Sequence, residues 1–361
     1  MKQYQIAIVG YGGMGHWHNN GIRQTDRVAF CGVYDINPER MKLAQQEGIP
    51  TAYESFEAVL ADEKVDAVLI ATPNNFHKDL ACRAMEAGKF VICEKPVAMS
   101  SAELQEMMDC SKKTGVPFTI HQNRRADADF LRVRDTIEKG LLGDVFEIES
   151  RVTGSRGIPE GWRQYAVAGG GMMLDWGVHL IDQLLYMIPR PVVSLTCELY
   201  HVAYKECDDG FRLTMRFEDG PTAMVEVGTS HYLEAPRWLV YGDRGALTIP
   251  DWSFNGKIIR AKEHVVTFEE EIIYTKAGPT KTMAPRAKDT LEEISFSGDG
   301  VETDYDVYYR DLAAYFDGKG ELKVKPEEAM RVMKVMEAAF ESDRTGETIH
   351  GRFSRPAVFY E

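Results

Sequence analysis

The sequence lacks the features that mark secreted, membrane-embedded and nucleic-acid-binding proteins. No apolar run is long enough to span a bilayer, and the opening MKQYQIAIVG has the pattern of a strand rather than of a signal peptide. Basic residues are few: 42 lysines and arginines against 56 acidic residues give a formal net charge of −14. This excess of negative charge argues against nucleic acid or an anionic membrane surface as a partner.

Cysteine is also scarce, and the chain has no CxxC pair. The six cysteines are scattered: Cys31, Cys82, Cys93, Cys110, Cys197 and Cys207. Isolated thiols are typical of a reducing compartment, so we expect a cytoplasmic protein. The 361 residues contain no internal repeat or low-complexity tract, and 44% are hydrophobic and 27% charged. Such a composition is that of a globular protein, with enough length for two domains.

Residues 1–121 alternate short apolar runs with helical stretches, a pattern that predicts a doubly wound parallel sheet, an α/β Rossmann domain. The strand candidates are YQIAIVG, VAFCGVYD, DAVLIATP, FVICEKP and PFTIHQ. The helix candidates lie near 15–24, 38–46, 56–61, 77–87 and 101–114. For the last of these, Ser100 and Glu103 form a capping box and Gly115 follows the end.

Residues 122–361 predict a second, α+β domain with a large open, mainly antiparallel sheet. DVFEIESRVTG is a strand candidate, and from residue 192 long alternating strands follow, with a hairpin turn at Asp219-Gly220 and another hairpin in WLVYGDRGALTIPD. Residues 270–302 are irregular and polar, and they suggest an extended segment or loop at an edge or subunit contact. Helices near 304–317 and 326–342 close the chain, packed on this domain or back on the first.

The first strand ends in a glycine-rich loop, Gly10-x-Gly12-x-x-Gly15, which leads into a helix. In this context the loop predicts a dinucleotide site, with the pyrophosphate at the helix N-terminus. Asp35 ends the second strand, where an acid would accept a hydrogen bond from the adenosine ribose. No arginine immediately follows Asp35, so we expect NAD rather than NADP. The other cofactor-binding candidates are Gly13, Met14, Thr72, Asn75, His77, Glu94, Lys95 and Arg163; for His77, a helix start without chemical importance is an equal alternative.

The segment GGGMMLDWGVHLID, residues 169–182, places Asp175, His179 and Asp182 beside an apolar helical stripe. Charged groups beside a core are costly unless they are paired, so we expect this helix to line the cleft between the domains. His179 suits proton removal from a hydroxyl, and Asp175, one turn away, suits orientation of the imidazole or binding of a neighbouring hydroxyl. A simple Asp175–His179 pair at a domain interface is the alternative. We place Asp182 outside the active group.

Lys95, at the end of the fourth strand, is the third catalytic candidate, because its ammonium could stabilise a developing alkoxide. The segment HQNRR, at the junction of the domains, supplies His121, Asn123 and Arg124 as candidates for binding a polyhydroxylated substrate, although a charged linker is the alternative. Trp162 could stack on a sugar ring or simply pack in its loop. No metal site is expected, because Asp-x-x-x-His supplies two ligands and no third is evident.

Three motifs in this order resemble the glucose–fructose oxidoreductase / inositol dehydrogenase / MocA family: Gly10-x-Gly12-x-x-Gly15, Glu94-Lys95-Pro96, and Gly169-Gly170-Gly171-x-x-x-Asp175-x-Gly177-x-His179. The ending RVMKVMEAAFESDRTGETI resembles that family's C-terminal helix. The resemblance implies hydride transfer between a nicotinamide cofactor and a secondary alcohol of a sugar or cyclitol, with Lys95, Asp175 and His179 as the catalytic group. It also implies a homo-oligomer, a dimer or tetramer, assembled through the open sheet.

Within that family the histidine of HQNRR favours the branch that oxidises the 3-hydroxyl of glucosides. Some relatives keep NAD bound and recycle it through turnover. Two alternatives stay open: cleavage of a glycosidic bond through transient oxidation, and a non-catalytic sugar or dinucleotide sensor on the same fold. The intact set of Lys95, Asp175 and His179 speaks against the sensor.

Overall fold

The computed structural model describes residues 2–22, 25–263, 271–282, 285–298 and 306–354. Its strands are β1 (Tyr4–Val9), β2 (Val28–Tyr34), β3 (Thr51–Ala52), β4 (Ala67–Ile70), β5 (Phe90–Cys93), β6 (Phe118–Ile120), β7 (Val145–Thr153), β8 (Val192–Tyr200), β9 (Gly210–Phe217), β10 (Thr222–Gly228), β11 (Trp238–Gly242), β12 (Gly245–Ile249), β13 (Gly256–Ala261), β14 (Ile273–Thr275), β15 (Gly278–Thr280), β16 (Leu291–Phe296) and β17 (Ile349–Phe353). Its α-helices are α1 (Gly13–Ile22), α2 (Pro38–Gln46), α3 (Phe56–Ala61), α4 (His77–Glu86), α5 (Ser101–Thr114), α6 (Ala128–Glu138), α7 (Val178–Met187), α8 (Asp306–Phe316) and α9 (Pro326–Thr345).

The N-terminal part forms a six-stranded parallel sheet in the order β3-β2-β1-β4-β5-β6. Strands β4 and β5 are buried at every position, as expected for strands covered on both faces. The predicted doubly wound fold is therefore confirmed. The caps of α5 form in part as predicted. The Ser100 side chain accepts from the Glu103 amide at 3.2 Å and Gly115 ends the helix with φ of +71°, but the Glu103 carboxylate accepts from the Met99 amide at 2.9 Å rather than from Ser100. The sequence pattern missed β3, a two-residue exposed strand.

The C-terminal part forms a nine-stranded sheet in the order β16-β13-β12-β11-β7-β10-β9-β8-β17. Only β7 and β10 run parallel among these neighbours, so the predicted mainly antiparallel sheet is confirmed. The predicted hairpins are β9–β10, with Asp219 at a φ of +46°, and β11–β12.

The segment 270–302, expected to be an extended segment or loop at an edge or subunit contact, contributes an edge strand. Residues Leu291–Phe296 form β16, the edge strand of the large sheet, and β14 pairs with β15 in a separate ribbon. Because β16 alternates exposed and half-buried side chains without a fully buried one, its sequence has no strong apolar pattern. Residues 270, 283–284 and 299–302 of that segment, and the predicted helix start near 304, lie outside the described residues.

The closing helices connect the two sheets. Helix α8 packs on the six-stranded sheet, where Tyr309, Leu312 and Ala313 share a core with Ile6 and Leu69. Helix α9 contacts α5, α7 and β8, so it lies against elements of both domains. All six cysteines fall within the described residues, and each is a free thiol. No helix in the described ranges is long and apolar enough to cross a bilayer.

Candidate active site

A cleft of about 670 Å³ lies at the carboxyl edge of the six-stranded sheet, where open α/β sheets bind their ligands. The cleft is lined by residues from the glycine-rich loop, from the ends of β2, β4 and β5, and from the segment before α7. The predicted cofactor and catalytic residues on its wall are Gly10, Gly12, Gly13, Met14, Asp35, Thr72, Glu94, Lys95, Arg163 and Asp175, and the predicted substrate residue Trp162 lines the same cleft.

The glycines of the first loop have different physical roles. A Cβ on Gly10 would lie 2.7 Å from the Ala71 carbonyl oxygen, and one on Gly15 would lie 2.2 Å from the Gly10 carbonyl oxygen. These two glycines therefore permit tight packing of the loop, β4 and α1. Gly12 and Gly13, by contrast, have open space where a Cβ would be, on the cleft side of the N-terminus of α1. This cradle fits a pyrophosphate.

Two further observations fit a bound dinucleotide. The Asp35 carboxylate is held in place by the backbone amides of Tyr11 and Asn37, at 2.7 and 2.8 Å, so a fixed negative charge stands at the end of β2. The Thr72 hydroxyl is buried and has no hydrogen-bond partner among the described residues. Arg40 also lines the cleft beyond Asp35, and the sequence reasoning missed it because it considered only the residues next to Asp35.

Two predicted cofactor residues do not line the cleft. Asn75 is exposed, and its neighbour Asn74 takes the lining position, where its buried side chain donates to the Gly169 carbonyl at 2.8 Å. The His77 ring is fully buried, with its nitrogens 2.8 Å from the Pro96 carbonyl and 3.0 Å from the Thr72 carbonyl. Burial lowers the pKa of His77. His77 thus fixes the backbone behind the cleft, because α4 starts there with this side chain turned inward.

The three glycines before α7 allow a close approach of other chain segments. Gly169 and Gly171 have φ of +80° and +102°, and a Cβ on Gly170 would lie 2.3 Å from the Arg163 carbonyl oxygen. Residues Met173–Gly177 then form a π-helix, and the regular α-helix begins only at Val178. The expectation of one regular helix through this segment is wrong. Such π-helical turns are frequently found at functional sites.

The π-helix carries Asp175 into the cleft. Lys95 Nζ donates to the Asp175 carboxylate at 3.0 Å and to its carbonyl oxygen at 2.9 Å, and Arg163 Nε lies 3.2 Å from the other carboxylate oxygen. Burial by itself raises the pKa of Asp175, but the two cations outweigh it and hold that pKa below its usual value. Asp175 is therefore an anion that orients the Lys95 ammonium.

His179 lies one turn further on, in the first turn of α7, and is 5% exposed. Its Nδ1 is 3.2 Å from the Gln122 side-chain oxygen, which can only accept a hydrogen bond. With the proton on Nδ1, the lone pair of the neutral ring is on Nε2, free to accept a proton. Burial, and then the Lys95 and Arg124 cations, hold the pKa of His179 well below its usual value. Asp175 and His179 thus have separate partners rather than each other.

Asp182 has a structural role, in line with its exclusion from the active group. Arg125 donates to both of its carboxylate oxygens, at 2.7 and 2.6 Å, and also to Glu328 of α9 at 2.8 Å. This buried network ties the domain junction to α7 and α9. It explains the third charged residue of the segment 169–182: the carboxylate is tolerated near the core because it is paired.

His121 does not face the cleft, contrary to the prediction. Its buried Nδ1 is 2.8 Å from the Glu94 carboxylate, and His18 Nε2 is 2.7 Å from the same oxygen. Burial lowers the pKa of His18 to about 4, so His18 is neutral, and it also contacts the Tyr309 hydroxyl. Although burial raises the pKa of Glu94, His121 and His18 hold it well below the usual value. This buried cluster sits directly behind Lys95.

The buried cluster is the group of potential metal ligands found among the described residues, with donor atoms within 4.8 Å of one another. Ligand atoms around one tetrahedral zinc ion would be about 3.4 Å apart, given bonds of about 2.1 Å. The 2.7 and 2.8 Å separations from His18 and His121 to the Glu94 oxygen are instead hydrogen-bond lengths. We therefore interpret the cluster as a hydrogen-bonded support for the end of β5.

Of the remaining predicted substrate residues, Trp162 lines the cleft, whereas Asn123, Arg124 and His179 are not among its lining residues. Asn123 and Arg124 belong to the short helix Asn123–Ala126, and the Arg124 guanidinium pairs with Asp127 at 2.9 Å while covering the Trp176 ring at 4.2 Å. The Trp162 ring has the Arg163 guanidinium 4.6 Å from its centroid. The sequence reasoning missed Gln122 and Trp176, which are uncharged and carry no motif.

Comparison with known proteins finds a family match in each half of residues 4–248. Residues 4–122 match the oxidoreductase family with an NAD-binding Rossmann fold, and residues 130–248 match the GFO/IDH/MocA C-terminal domain. The chain belongs to the Gfo/Idh/MocA oxidoreductase family. It is thus an oxidoreductase with a dinucleotide-binding N-terminal domain, and the family resemblance drawn from the three motifs is confirmed.

The relatives of this chain differ in substrate and cofactor. The crystal structure of an NAD-binding protein from Listeria innocua is 44% identical, with a TM-score of 0.91, and the match covers 97% of this chain and 100% of that one. D-glucoside 3-dehydrogenase of Escherichia coli is 32% identical over 195 residues, 53% of this chain and 55% of that enzyme. The NADP⁺-dependent scyllo-inositol 2-dehydrogenase of Bacillus subtilis is 26% identical over 357 residues, 96% and 95% of the two chains. The family thus includes NAD(P)-dependent oxidoreductases of sugars and cyclitols.

Proposed function

We propose that this protein oxidises a secondary hydroxyl of a sugar or glycoside, with NAD as the hydride acceptor. The observation that supports this most directly is the pairing at the end of the dinucleotide cleft. There the Lys95 ammonium is held by Asp175 at 3.0 Å. His179 is buried near Lys95, outside the lining of the cleft, and its Nδ1 is 3.2 Å from the Gln122 side-chain oxygen. A cation and a neutral base beside a nicotinamide site are what oxidation of an alcohol requires.

In this proposal each side chain has one task. His179 Nε2 accepts the hydroxyl proton, and its low pKa keeps the ring unprotonated and ready near neutral pH. Lys95 Nζ donates a hydrogen bond to the reacting oxygen and stabilises its developing negative charge. Asp175 keeps the ammonium in place. Bound NAD supplies the acceptor for the hydride that leaves the carbinol carbon, so the alcohol becomes a ketone.

We further propose that the substrate is a glucoside and that C3 of the glucosyl ring is oxidised. The similarity to D-glucoside 3-dehydrogenase supports this, as does a polar junction that contains Asn123 and Arg124 next to His179. A cyclitol is the alternative substrate, supported by the similarity to scyllo-inositol 2-dehydrogenase.

A screen of free sugars, inositols and glycosides with NAD tests the proposal. NADH formation should be followed together with mass spectrometry of the organic product, because a cofactor that stays bound through turnover would release no free NADH. We expect a glucoside to lose two mass units, with the loss assigned to C3 by NMR. Oxidation of an inositol with no reaction of any glucoside would instead favour the cyclitol alternative.

We propose that the cofactor is NAD, and we expect NADP to bind more weakly. The Asp35 carboxylate, fixed by two backbone amides, can accept from a ribose hydroxyl and would repel a 2′-phosphate. Replacing Asp35 with serine is expected to reduce the ratio of the affinity for NAD to the affinity for NADP. In the matched variant Arg40→Ala, the loss of a guanidinium from the same end of the cleft should weaken residual NADP binding. Calorimetry measures the affinities of the wild type and both variants for NAD and NADP. Equal wild-type affinities for the two cofactors would overturn this proposal.

We also propose a homo-oligomer, a dimer or tetramer, in which a second copy covers the outer face of the large sheet. Alternate residues of β9 are exposed on that face. The face carries a charge network in which Glu226 pairs with Arg151 at 3.0 Å and with Arg212 at 2.5 Å, and beside it Phe146 stacks on Tyr241. Sedimentation at micromolar concentration is expected to show two or four copies. A single monomeric species would contradict this proposal.

A further inference from the structure

A continuous aromatic surface leads away from the candidate base. The Trp176 ring meets the His179 ring edge-on, with centroids 6.2 Å apart, and the Trp252 ring lies 5.8 Å from Trp176 on the other side. Phe254 follows, 6.1 Å from Trp252. We call Trp176, Trp252 and Phe254 the aromatic wall. Trp176 comes from the π-helix, whereas Trp252 and Phe254 come from the loop between β12 and β13.

Of the three rings of the wall, Trp252 is exposed, whereas Trp176 and Phe254 are half-buried. Trp252 is 46% exposed, so part of its ring surface can be reached by a ligand. Phe254, beside it, has a φ of +58°, a left-handed conformation that costs free energy for a bulky side chain. Strained backbone of this kind tends to occur where a loop presents a binding group. The positive φ lies at Phe254, two residues after Trp252, so the same turn positions both rings.

Two guanidinium groups back the wall, and both are already neutralised. Arg124 lies 4.2 Å from the Trp176 ring centroid and 5.6 Å from that of Trp252, while Arg237 lies 4.0 Å from Trp252. Arg124 pairs with Asp127 at 2.9 Å, and Arg237 pairs with Asp129 at 2.5 Å. These arginines therefore stiffen the aromatic rings and leave little net charge, so the surface suits a neutral ring better than a carboxylate or a phosphate.

We propose that the aromatic wall is a second subsite, which holds the ring attached to the oxidised sugar. A flat aromatic ring can stack on Trp252, and the C–H face of a pyranose can do the same. Since the wall begins at His179, a ring bound there would sit next to the sugar whose hydroxyl faces the base. The proposal rests on the proposed function and deepens it: the preferred substrate is a glycoside with a cyclic aglycone or a second sugar, rather than a free monosaccharide.

The test compares four compounds in the NAD-loaded protein: glucose, methyl β-D-glucoside, phenyl β-D-glucoside and cellobiose. We expect the wild type to prefer a ring-bearing compound to the methyl glucoside by about tenfold in kcat/KM, the factor that one aromatic stacking contact supplies. Trp252→Ala should abolish this ratio, and Trp252→Phe should restore part of it. Tyr274→Ala, which removes an 80%-exposed aromatic ring on β14, is the control and should keep the wild-type ratio.

The outcomes test the proposed subsite and the proposed oxidation separately. Preference for the phenyl glucoside indicates an aromatic aglycone, and preference for cellobiose indicates a second pyranose. If the methyl and ring-bearing glucosides react equally well in both the wild type and Trp252→Ala, the subsite is wrong while the proposed function stands. If no compound is oxidised, the proposed function fails, and calorimetry on the same proteins still decides the subsite. If phenyl glucoside and cellobiose bind Trp252→Ala with the same affinity as the wild type, the proposed subsite is wrong.

Discussion

Replacing His179 by alanine is expected to slow oxidation of the bound substrate by about 10²- to 10⁴-fold, the usual contribution of a general base. The reason is that Nε2, the nitrogen left free by the Nδ1 contact with Gln122, would be missing. Affinity for NAD should stay close to normal, because the glycine loop and Asp35 lie in the other domain. Single-turnover oxidation and NAD calorimetry measure the two effects separately.

The pH dependence of the oxidation rate tests the role of His179 a second time. A base works only when it is unprotonated, and the pKa of His179 is well below the usual 6.5 because of burial and nearby cations. The acid limb of the wild-type rate is therefore expected below pH 6.5, and it should disappear in His179→Ala. The control is His350→Ala, which removes an exposed imidazole from β17. A His179→Ala enzyme with near-normal chemistry and an unchanged profile would contradict the assignment.

Replacing Lys95 by alanine is expected to slow the chemical step by about 10²- to 10³-fold, the usual cost of losing one oxyanion donor. The reacting oxygen would lose its donor, and the Asp175 carboxylate would keep only the Arg163 cation. The pKa of Asp175 should rise, because Lys95 is the larger of the two charges that lower it. Single-turnover kinetics at several pH values measure the loss.

A double variant separates catalysis from ion pairing. Lys95→Ala leaves a largely buried carboxylate with one partner fewer, so thermal stability should fall as well. In Lys95→Ala/Asp175→Ala, the uncompensated charge is gone, and we expect much of that stability to return while activity stays low. Recovery of activity together with stability in the double variant would show that Lys95 only neutralises Asp175.

The sequence predicted the fold well where local pattern and global topology agree. Buried parallel strands are apolar throughout, and their turns need glycine at Gly10 and Gly15 for steric reasons that no other residue satisfies. The cleft position of Lys95 and Asp35 follows from the rule that parallel strands present their carboxyl ends at one edge. These predictions required no knowledge of long-range contacts.

The errors arose where side-chain direction depends on distant residues. His121 directly follows β6, yet it turns away from the cleft because the Glu94 carboxylate accepts from it at 2.8 Å. The π-helix before α7 has no recognisable sequence pattern, since it depends on how Gly170 and Gly171 approach Arg163 and Asp208. Trp252, 76 residues beyond Trp176 in the sequence, reaches the site through sheet topology.

One isotope measurement tests the proposed reaction most directly. Phenyl β-D-glucoside that carries deuterium at C3 is mixed with the enzyme and NAD, and the cofactor is recovered by denaturation and weighed by mass spectrometry. We predict reduced NAD that is one mass unit heavier than NADH, together with a 3-keto product, and neither product from the variant that lacks both Lys95 and His179. Reduced cofactor without deuterium would contradict oxidation at C3, and no reduced cofactor from any glucoside or cyclitol would contradict the proposed activity itself.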